Sequence, residues 1–540
     1  MALDRYPKER HALAQLEGKK RLDAILDTPD PKAFVRSLPA EDLFFTIQEI
    51  GARDAGPLVA LASPSQFRTF VDLDAWEGYE LSLDRLAEWI RLARGERDEE
   101  IMKKLRALDI EVQELLVRGI VRVIDLEEDG EPNEDFIGPV ERTPEGRFLI
   151  VYPPEGPDYA LAKGLIDELY AEDPFAAARF LYAIRWELES ELTETALRWR
   201  NARLADLGFP SPEEAASLYA RVDLSAELPP PAGVPEEPPG YFLKPREGEN
   251  LLARAMARVG PERQRSAELE LVTVLNAALV ADAVPPAEME AVRTAIESVH
   301  RTLSLGLEHL AGDDEARAAQ ILGSTALKRI FQIGFTRVLQ LRWRADRLRR
   351  ELPLEIERGS YLLDGDLGSR LDALFQRRPR YLDAGGRVRA FGSLAELEET
   401  AAALDAIEAV AHAFQATGFD PKALREPVFA AWGEAGLARV RFSDFFATHL
   451  ARQALGLEPN WEPLPADRLG DAARALFQET GKLLPSVHET AAAFGEGEPI
   501  ERFVALTLAR LEDELGHQIA SAGFDRLDPR FAAPLLVFER

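Results

Sequence analysis

One helical unit is written twice in this chain, and that duplication constrains its fold more than any other feature. The first copy reads PSQFRTFVDLDAWEGYELSLDRLAEW, Pro64 to Trp89, and the second reads DPFAAARFLYAIRWELESELTETALRW, ending at Trp199. One offset of 110 positions pairs Pro64 with Pro174, Phe70 with Phe180, Trp76 with Trp186, Glu77 with Glu187 and Trp89 with Trp199. A third fragment, LRWRADRL (Leu341 to Leu348), repeats the LRWRNARL of Leu197 to Leu204. Within each copy the tryptophans stand 13 positions apart, between three and four helical turns. Gly78 in the first copy favours two packed helices over one continuous helix. The tryptophans are expected as core anchors of stacked helix pairs.

The rest of the N-terminal half is written in the same style. Helical spacing predicts a helix over 9–26, then Asp30-Pro31 supplies an N-cap followed by proline at the first helical position. Ser63-Pro64-Ser65-Gln66 reads as a capping box, and Ser211-Pro212-Glu213-Glu214 as another helix start. Short helices broken by single glycines and prolines are the signature of a superhelical array. The period changes at IVRVIDL and RFLIVYP, predicting a small β hairpin or patch inserted at about 120–155. A proline-rich stretch, Pro229 to Pro245, reads as a linker or strap across 229–248. Beyond it long helical runs predict a bundle-like region over 249–540, with helix starts at Asp420-Pro421 and Pro499-Ile500. The expected organisation is mainly α: a superhelical domain at 1–228, the linker, and the bundle.

Composition narrows the function classes. No cysteine occurs among the 540 residues, which removes thiolate metal sites and Cys nucleophiles and points to a reducing compartment. A formal net charge of -29 repels nucleic acid and anionic lipid at long range. The opening residues lack the apolar stretch of a signal peptide, and no run is long and apolar enough to span a membrane. The expectation is a soluble cytoplasmic protein with a protein partner, without nucleic acid or membrane insertion.

Reactive chemistry has few places to hide among seven histidines. Glu297-x-x-His300 and Glu514-x-x-His517 each carry the Glu-x-x-His spacing of a di-metal carboxylate bundle, with Glu270 and Glu308 as possible single ligands. Against that, Ile296 and Leu303 share the face of His300, while Arg510, Asp513 and Glu514 surround His517. His309 and His449 sit near helix C-termini, where the dipole favours them; His412 and His488 have no relay partner. Ser298 and Ser324 lack a nucleophile elbow, and LLDGDLGSR is no phosphate loop. The acidic runs Glu127-Glu128-Asp129 with Glu131 and Asp135, and Asp313-Asp314-Glu315, read as solvated loops. Arg185, Arg198, Arg200 and Arg344 are expected to pair with surplus carboxylates. No catalytic, cofactor-binding or metal residue is assigned, and no cofactor.

The opening LEGKKRLDAILDTPDPKAFVRSLPAEDLFFTIQEIG, the VDLDAW motif and the LRWRNARLADLGFPSPEEA block resemble a bacterial family catalogued as domain of unknown function 6178. That resemblance covers essentially the whole chain and implies no activity. Residues 37–93, with DAGPLVALA and the following Ser-Pro, also resemble the N-terminal cytosolic superhelical domain of MgtE-type magnesium transporters, which implies a helical array responsive to magnesium. The leading expectation is a non-enzymatic scaffold or regulatory protein. A metal-dependent enzyme and a magnesium-responsive regulator are the alternatives.

Overall fold

A computed structural model describes residue 16 and residues 18–94, 98–133, 135–231, 250–458 and 460–538. It is mainly α-helical. In chain order the helices before the first sheet are α1 (Gly18–Leu26), α2 (Pro31–Ser37), α3 (Ala40–Ile50), α4 (Gly56–Leu61) and α5 (Pro64–Asp74). A two-stranded hairpin, β1 (Trp76–Glu77) and β2 (Glu80–Leu81), separates α5 from α6 (Leu83–Ala93), α7 (Asp98–Leu105) and α8 (Ile110–Arg118). The inserted sheet follows, with β3 (Arg122–Asp125), β4 (Val140–Arg142) and β5 (Phe148–Val151) in the antiparallel order β3-β5-β4. Then come α9 (Pro157–Glu172), α10 (Pro174–Trp186), α11 (Glu189–Asp206) and α12 (Pro212–Ala216).

From residue 251 on, α13 (Leu251–Met256), α14 (Pro261–Asp282), α15 (Met289–Ala311), α16 (Glu315–Ser324) and α17 (Leu327–Glu351) follow, the longest of them 25 residues. Two small hairpins, β6 (Glu355–Glu357) with β7 (Ser360–Tyr361) and β8 (Tyr381–Leu382) with β9 (Val388–Arg389), flank α18 (Leu367–Phe375). The remainder is α19 (Leu394–Ala416), α20 (Arg425–Arg439), α21 (Phe442–Ala454), β10 (Leu464–Pro465), α22 (Leu469–Leu476), α23 (Pro485–Ala492), α24 (Glu498–Leu511), α25 (His517–Ala522) and β11 (Val537–Phe538). A π-helical turn, Glu512–Gly516, joins α24 to α25. Asp420-Pro421 opens a turn, and the helix after it begins only at Arg425.

The helix starts form for the reasons their residues suggest. Ser63 Oγ accepts from Gln66 N at 3.2 Å while Gln66 Oε1 accepts from Ser63 N at 2.8 Å, closing the box around Pro64. Gln66 is itself buried and donates to Val35 O and Leu38 O, both at 2.8 Å, so one residue caps α5 and ties down the end of α2. Asp30, Asp173 and Ser211 cap α2, α10 and α12, each followed by proline.

The chain forms two compact units. The first draws on Met1–Ala220, Ser225–Leu303 and Leu310–Gln332, and the second on Arg221–Leu224, Ser304–His309 and Ile333–Arg540. The compact units therefore do not part at 229–248. In the first unit α12 packs on α14, and Asn276 Nδ2 donates to Gly208 O at 3.3 Å. Most of the proline stretch, from residue 232 on, lies outside the described residues, as does the start of the helix expected over 9–26.

Both copies of the duplicated unit are a helix, a short connection and a second helix, α5 with α6 and α10 with α11. Phe70 and Phe180 are buried alike. The tryptophans are not. Trp76 and Trp89 are 8% and 2% exposed, whereas Trp186 and Trp199 are 39% and 53% exposed. This corrects the expectation that all four anchor the core. Trp89 lies against Phe70 and Phe44, with ring centroids 5.3 and 6.0 Å away, and its Nε1 donates to Asp74 at 2.7 Å. Trp186 has polar neighbours instead: the Arg185 guanidinium lies 4.3 Å from its ring.

The VDLDAW and LRWRNARL motifs meet in space. Arg203 donates from Nε and Nη2 to Asp72 at 2.7 and 2.9 Å, and from Nη1 and Nη2 to Asp109 at 2.9 and 2.6 Å. Arg200 donates to Asp72 O at 2.6 Å and lies 5.4 Å from the Trp76 ring. One planar guanidinium clamping two carboxylates is a task for arginine rather than lysine. Burial pushes the Asp72 carboxyl above its ordinary range against the pull of Arg203. In the second unit Phe414 centres the core, with Phe442, Trp461, Phe419, Phe494 and Phe503 at 4.5, 4.8, 5.0, 5.1 and 5.9 Å.

Candidate functional site

The most developed surface in the first unit is where β3 ends and α10 passes it. Asp125 closes β3 with its side chain fully buried. It accepts from Arg147 Nη2 at 2.8 Å, from Trp186 Nε1 at 3.0 Å and from Glu127 N at 3.2 Å. The hydrogen bonds from Arg147 hold this carboxyl below its ordinary range. Four residues on, Asp129 accepts from Arg185 Nε and Nη2, both at 2.9 Å, and from Asp125 N at 3.2 Å. Arg185 likewise holds Asp129 down. Gly130 ends the turn with φ 73, a left-handed conformation that favours glycine.

Beside this turn lies a cleft of about 420 Å³. Its strand side is Arg122, Val123 and Ile124; across from them are Asp129, Gly130, Pro132 and Arg185. Arg122 reaches over Phe136, its guanidinium 5.9 Å from the ring. Among the described residues its lining carries two guanidiniums, one carboxylate and main-chain groups.

From Trp186 an exposed aromatic stripe runs back along α10. Phe175, Tyr182 and Trp186 follow i, i+7 and i+11, which puts them on one helix face. Phe175 is 88% exposed, and Leu188 just beyond the helix is exposed as well. Arg147 lies 5.5 Å from the Tyr182 ring. Arg185 both lines the cleft and stacks on Trp186, so stripe and cleft share a wall.

The residues singled out from sequence for a di-metal centre are placed otherwise. Glu297 is exposed, while His300 on the same helix is buried, its Nε2 without a hydrogen-bond partner. Burial pushes the His300 imidazole down to about 4. Glu514 is exposed in the π turn and accepts from Arg510 Nε at 2.8 Å; His517 is exposed too. Glu270 accepts from Arg263 Nη1 at 2.5 Å and Leu327 N at 2.7 Å. Glu308 accepts from Leu394 N at 2.9 Å. Each carboxylate proposed as a lone ligand already has a partner, and among the described residues no three metal-capable side chains converge.

The other expectations divide. Of the acidic runs, Asp129 is held by Arg185, Glu131 pairs with Arg142, and Glu315 pairs with Arg254 and Arg258. Arg344 pairs with Asp405 and Glu408, and Arg198 pairs with its helix neighbour Glu194. His449 stacks on Trp461 at 4.3 Å.

Three buried titratable groups escaped sequence reasoning. Lys104 is fully buried, donating to Val59 O at 3.0 Å and Ala60 O at 2.7 Å at the C-terminal end of α4; burial pushes its ammonium down to about 8. Glu114 on α8 is pushed up to about 8 by burial, then by Glu187 and Glu111. In the second unit Asp444 is pushed up to about 7 by burial. It accepts from Arg510 Nη1 and Arg441 N, each at 2.8 Å. Ser443 links the same Arg510 to Asp364, donating Oγ–H to Asp364 while accepting from Arg510 Nη1 at 2.9 Å. The only sequence signal was their helix positions: Asp444 occupies the N3 position of α21.

The model of one protein family, described as a family of unknown function (DUF6178), matches residues 2–538. This chain belongs to that family. No curated protein and no solved structure matches it. No helix among the described residues is long and apolar enough to cross a membrane. Family membership thus leaves the site to be read from its own chemistry.

Proposed function

We propose that this member of the family is a non-enzymatic interaction protein, a scaffold or regulator acting in the cytoplasm on a protein partner. The observation that carries the reading is the aromatic stripe of α10, Phe175, Tyr182 and Trp186, left in solvent beside a polar cleft. Exposed aromatics next to arginine are the composition of binding surfaces. In the first copy the equivalent of Trp186, Trp76, is buried, and the positions equivalent to Phe175 and Tyr182 are Ser65 and Asp72, so the exposed stripe belongs to the second copy alone. Stacked helix pairs commonly present such surfaces.

The test is recovery of the native complex. The full chain is tagged at its own locus, crosslinked and purified, with metal content measured on the same sample. The expected result is a stoichiometric protein partner, lost when Phe175 and Tyr182 are both changed to serine while the thermal melt is unchanged. A preparation with no stoichiometric partner and about two iron or manganese ions per chain would replace the scaffold reading with the metal-enzyme one. A complex that forms only with added magnesium would favour the magnesium-responsive regulator.

A further inference from the structure

We propose that the exposed face of α10 docks a basic amphipathic helix of the partner protein, with Phe175, Tyr182 and Trp186 against its apolar side and Glu187, Glu189 and Glu191 against its arginines or lysines. This rests on the interaction reading above and names the chemistry of the partner.

The two copies of the duplicated unit show what sets this face apart. Under the offset of 110 positions, Phe175 stands where the first copy has Ser65, Tyr182 where it has Asp72, and Leu188 where it has Gly78. Each exchange puts a large apolar side chain where the first copy has a polar residue or glycine. All three are exposed, at 88%, 44% and 62%. Single exposed apolar side chains are ordinary; three aromatics on one helix face are a patch of the kind that marks an interaction site.

The first copy also shows what kind of element covers such a place. Trp76, the counterpart of Trp186, is 8% exposed. There α11 packs on β2 and brings Arg200 to 5.4 Å from the Trp76 ring, while Arg203 of the same helix clamps Asp72. The cover is a helix that carries arginines to a tryptophan and a carboxylate. Glu77, the carboxylate beside Trp76, is paired with Arg85 at 3.3 Å. In the second copy Thr195 replaces that arginine, and Glu187 is left in solvent next to Trp186. From Phe175 to Trp186 the face runs about 16 Å, three turns of helix, a length that a partner helix can follow.

Charge selects the helix. Glu187, Glu189 and Glu191 are all exposed, and no ion pair among the described residues engages their carboxylates. Glu111 adds another acid on neighbouring α8. Of the cations close by, Arg147 and Arg185 are held by Asp125 and Asp129. Arg118 donates to Glu187 O at 2.8 Å, and Arg179 interacts with Glu114. The acids stay in excess, and Glu114 registers it: burial pushes its carboxyl up, and Glu187 and Glu111 add to the push. A cationic helix complements such a surface. A second copy of this chain would bring its own net charge of -29, which opposes pairing through this face.

The experiment uses the full chain and three synthetic peptides of about 18 residues, long enough to form a helix. One has a leucine face flanked by arginine, one the same face flanked by glutamate, and one the arginine composition with its leucines scattered. Binding is followed by fluorescence anisotropy at low and high salt, the bound site by hydrogen exchange, and the free chain by sedimentation. The expected result is saturable one-to-one binding of the arginine peptide, at least about tenfold tighter than either control, with slowed exchange in α10. Changing Phe175 and Tyr182 to serine should weaken it by at least about tenfold, and so should changing Glu187, Glu189 and Glu191 to glutamine, which should also flatten the salt dependence. These side chains are exposed, thermal melts check that the variants fold, and the exchange map stands without any variant. Equal binding of the glutamate peptide, protection away from α10, binding unchanged in the folded variants, or a dimer of the free chain lost on Phe175→Ser would each overturn the proposal. A native partner lost in the Phe175 and Tyr182 variant but kept by the glutamine variant would sink the basic helix alone; no stoichiometric partner at all would sink the interaction reading.

Discussion

Asp444 makes the stability of the second unit depend on pH in a direction opposite to that of most carboxylates. Its side chain is 1% exposed, and burial raises its folded-state pKa to about 7, against ~3.9 for an aspartate in an unfolded chain. The folded form binds the proton more tightly than the unfolded form, so protonation stabilises. The contribution of this one group is fully present below about pH 4, falls as pH rises between about 4 and 7, and is gone above. At ~1.4 kcal/mol per pKa unit the full effect is about 4 kcal/mol, of which about 2–3 kcal/mol falls between pH 5 and pH 8. Asp444→Asn removes that titration while keeping the shape of the side chain. The assay is a urea titration read by hydrogen exchange in peptides of α21, for both proteins, at several pH values. The wild-type stability minus that of the variant should drop by about 2–3 kcal/mol from pH 5 to pH 8. A difference flat to within about 0.5 kcal/mol would show that the carboxylate is ionised throughout and that Arg510 outweighs burial. Asp364 is raised by burial as well, so Asp364→Asn should reduce the same slope.

Other outcomes follow from the packing. Trp89→Ala should cost about 3–5 kcal/mol in a denaturant titration, whereas Trp199→Ala, at a half-exposed ring, should cost less than about 1 kcal/mol; equal losses would restore the idea of four equivalent anchors. Arg203→Ala leaves Asp72 buried without its partner and should cost about 3–5 kcal/mol, and adding Asp72→Asn should recover part of that loss in a double-mutant cycle. A chain cut within 232–249 and co-expressed as two pieces should co-elute, because α12 packs on α14; two independently stable, separating pieces would put a domain boundary at the prolines after all.

Much of this molecule was legible in its residues because it is local. Asp30, Ser63 and Ser211 with their prolines act within one helical turn, so the caps formed where the spacing put them. The switch to alternating β-type residues at IVRVIDL marked the inserted sheet, and the duplicated spacing marked two helix pairs. What stood outside the sequence was which neighbour each duplicated residue would meet. Trp89 and Trp199 have the same helical setting, yet one ring lies against Phe44 and Phe70 and the other faces water. A periodicity states that a face exists; only the packing of other elements decides whether that face is covered. The same holds for charge. Glu297 and His300 share the Glu-x-x-His spacing, and tertiary packing buries one and exposes the other. The Arg203 clamp joins positions 131 and 94 residues apart, and the cleft beside β3 depends on Arg185 reaching it from α10. The sequence by itself determined the helices, their caps and the place of the sheet, since those rest on neighbours along the chain. The tertiary structure alone decided burial and ion-pair partners, because each is a contact between segments whose separation no local spacing records.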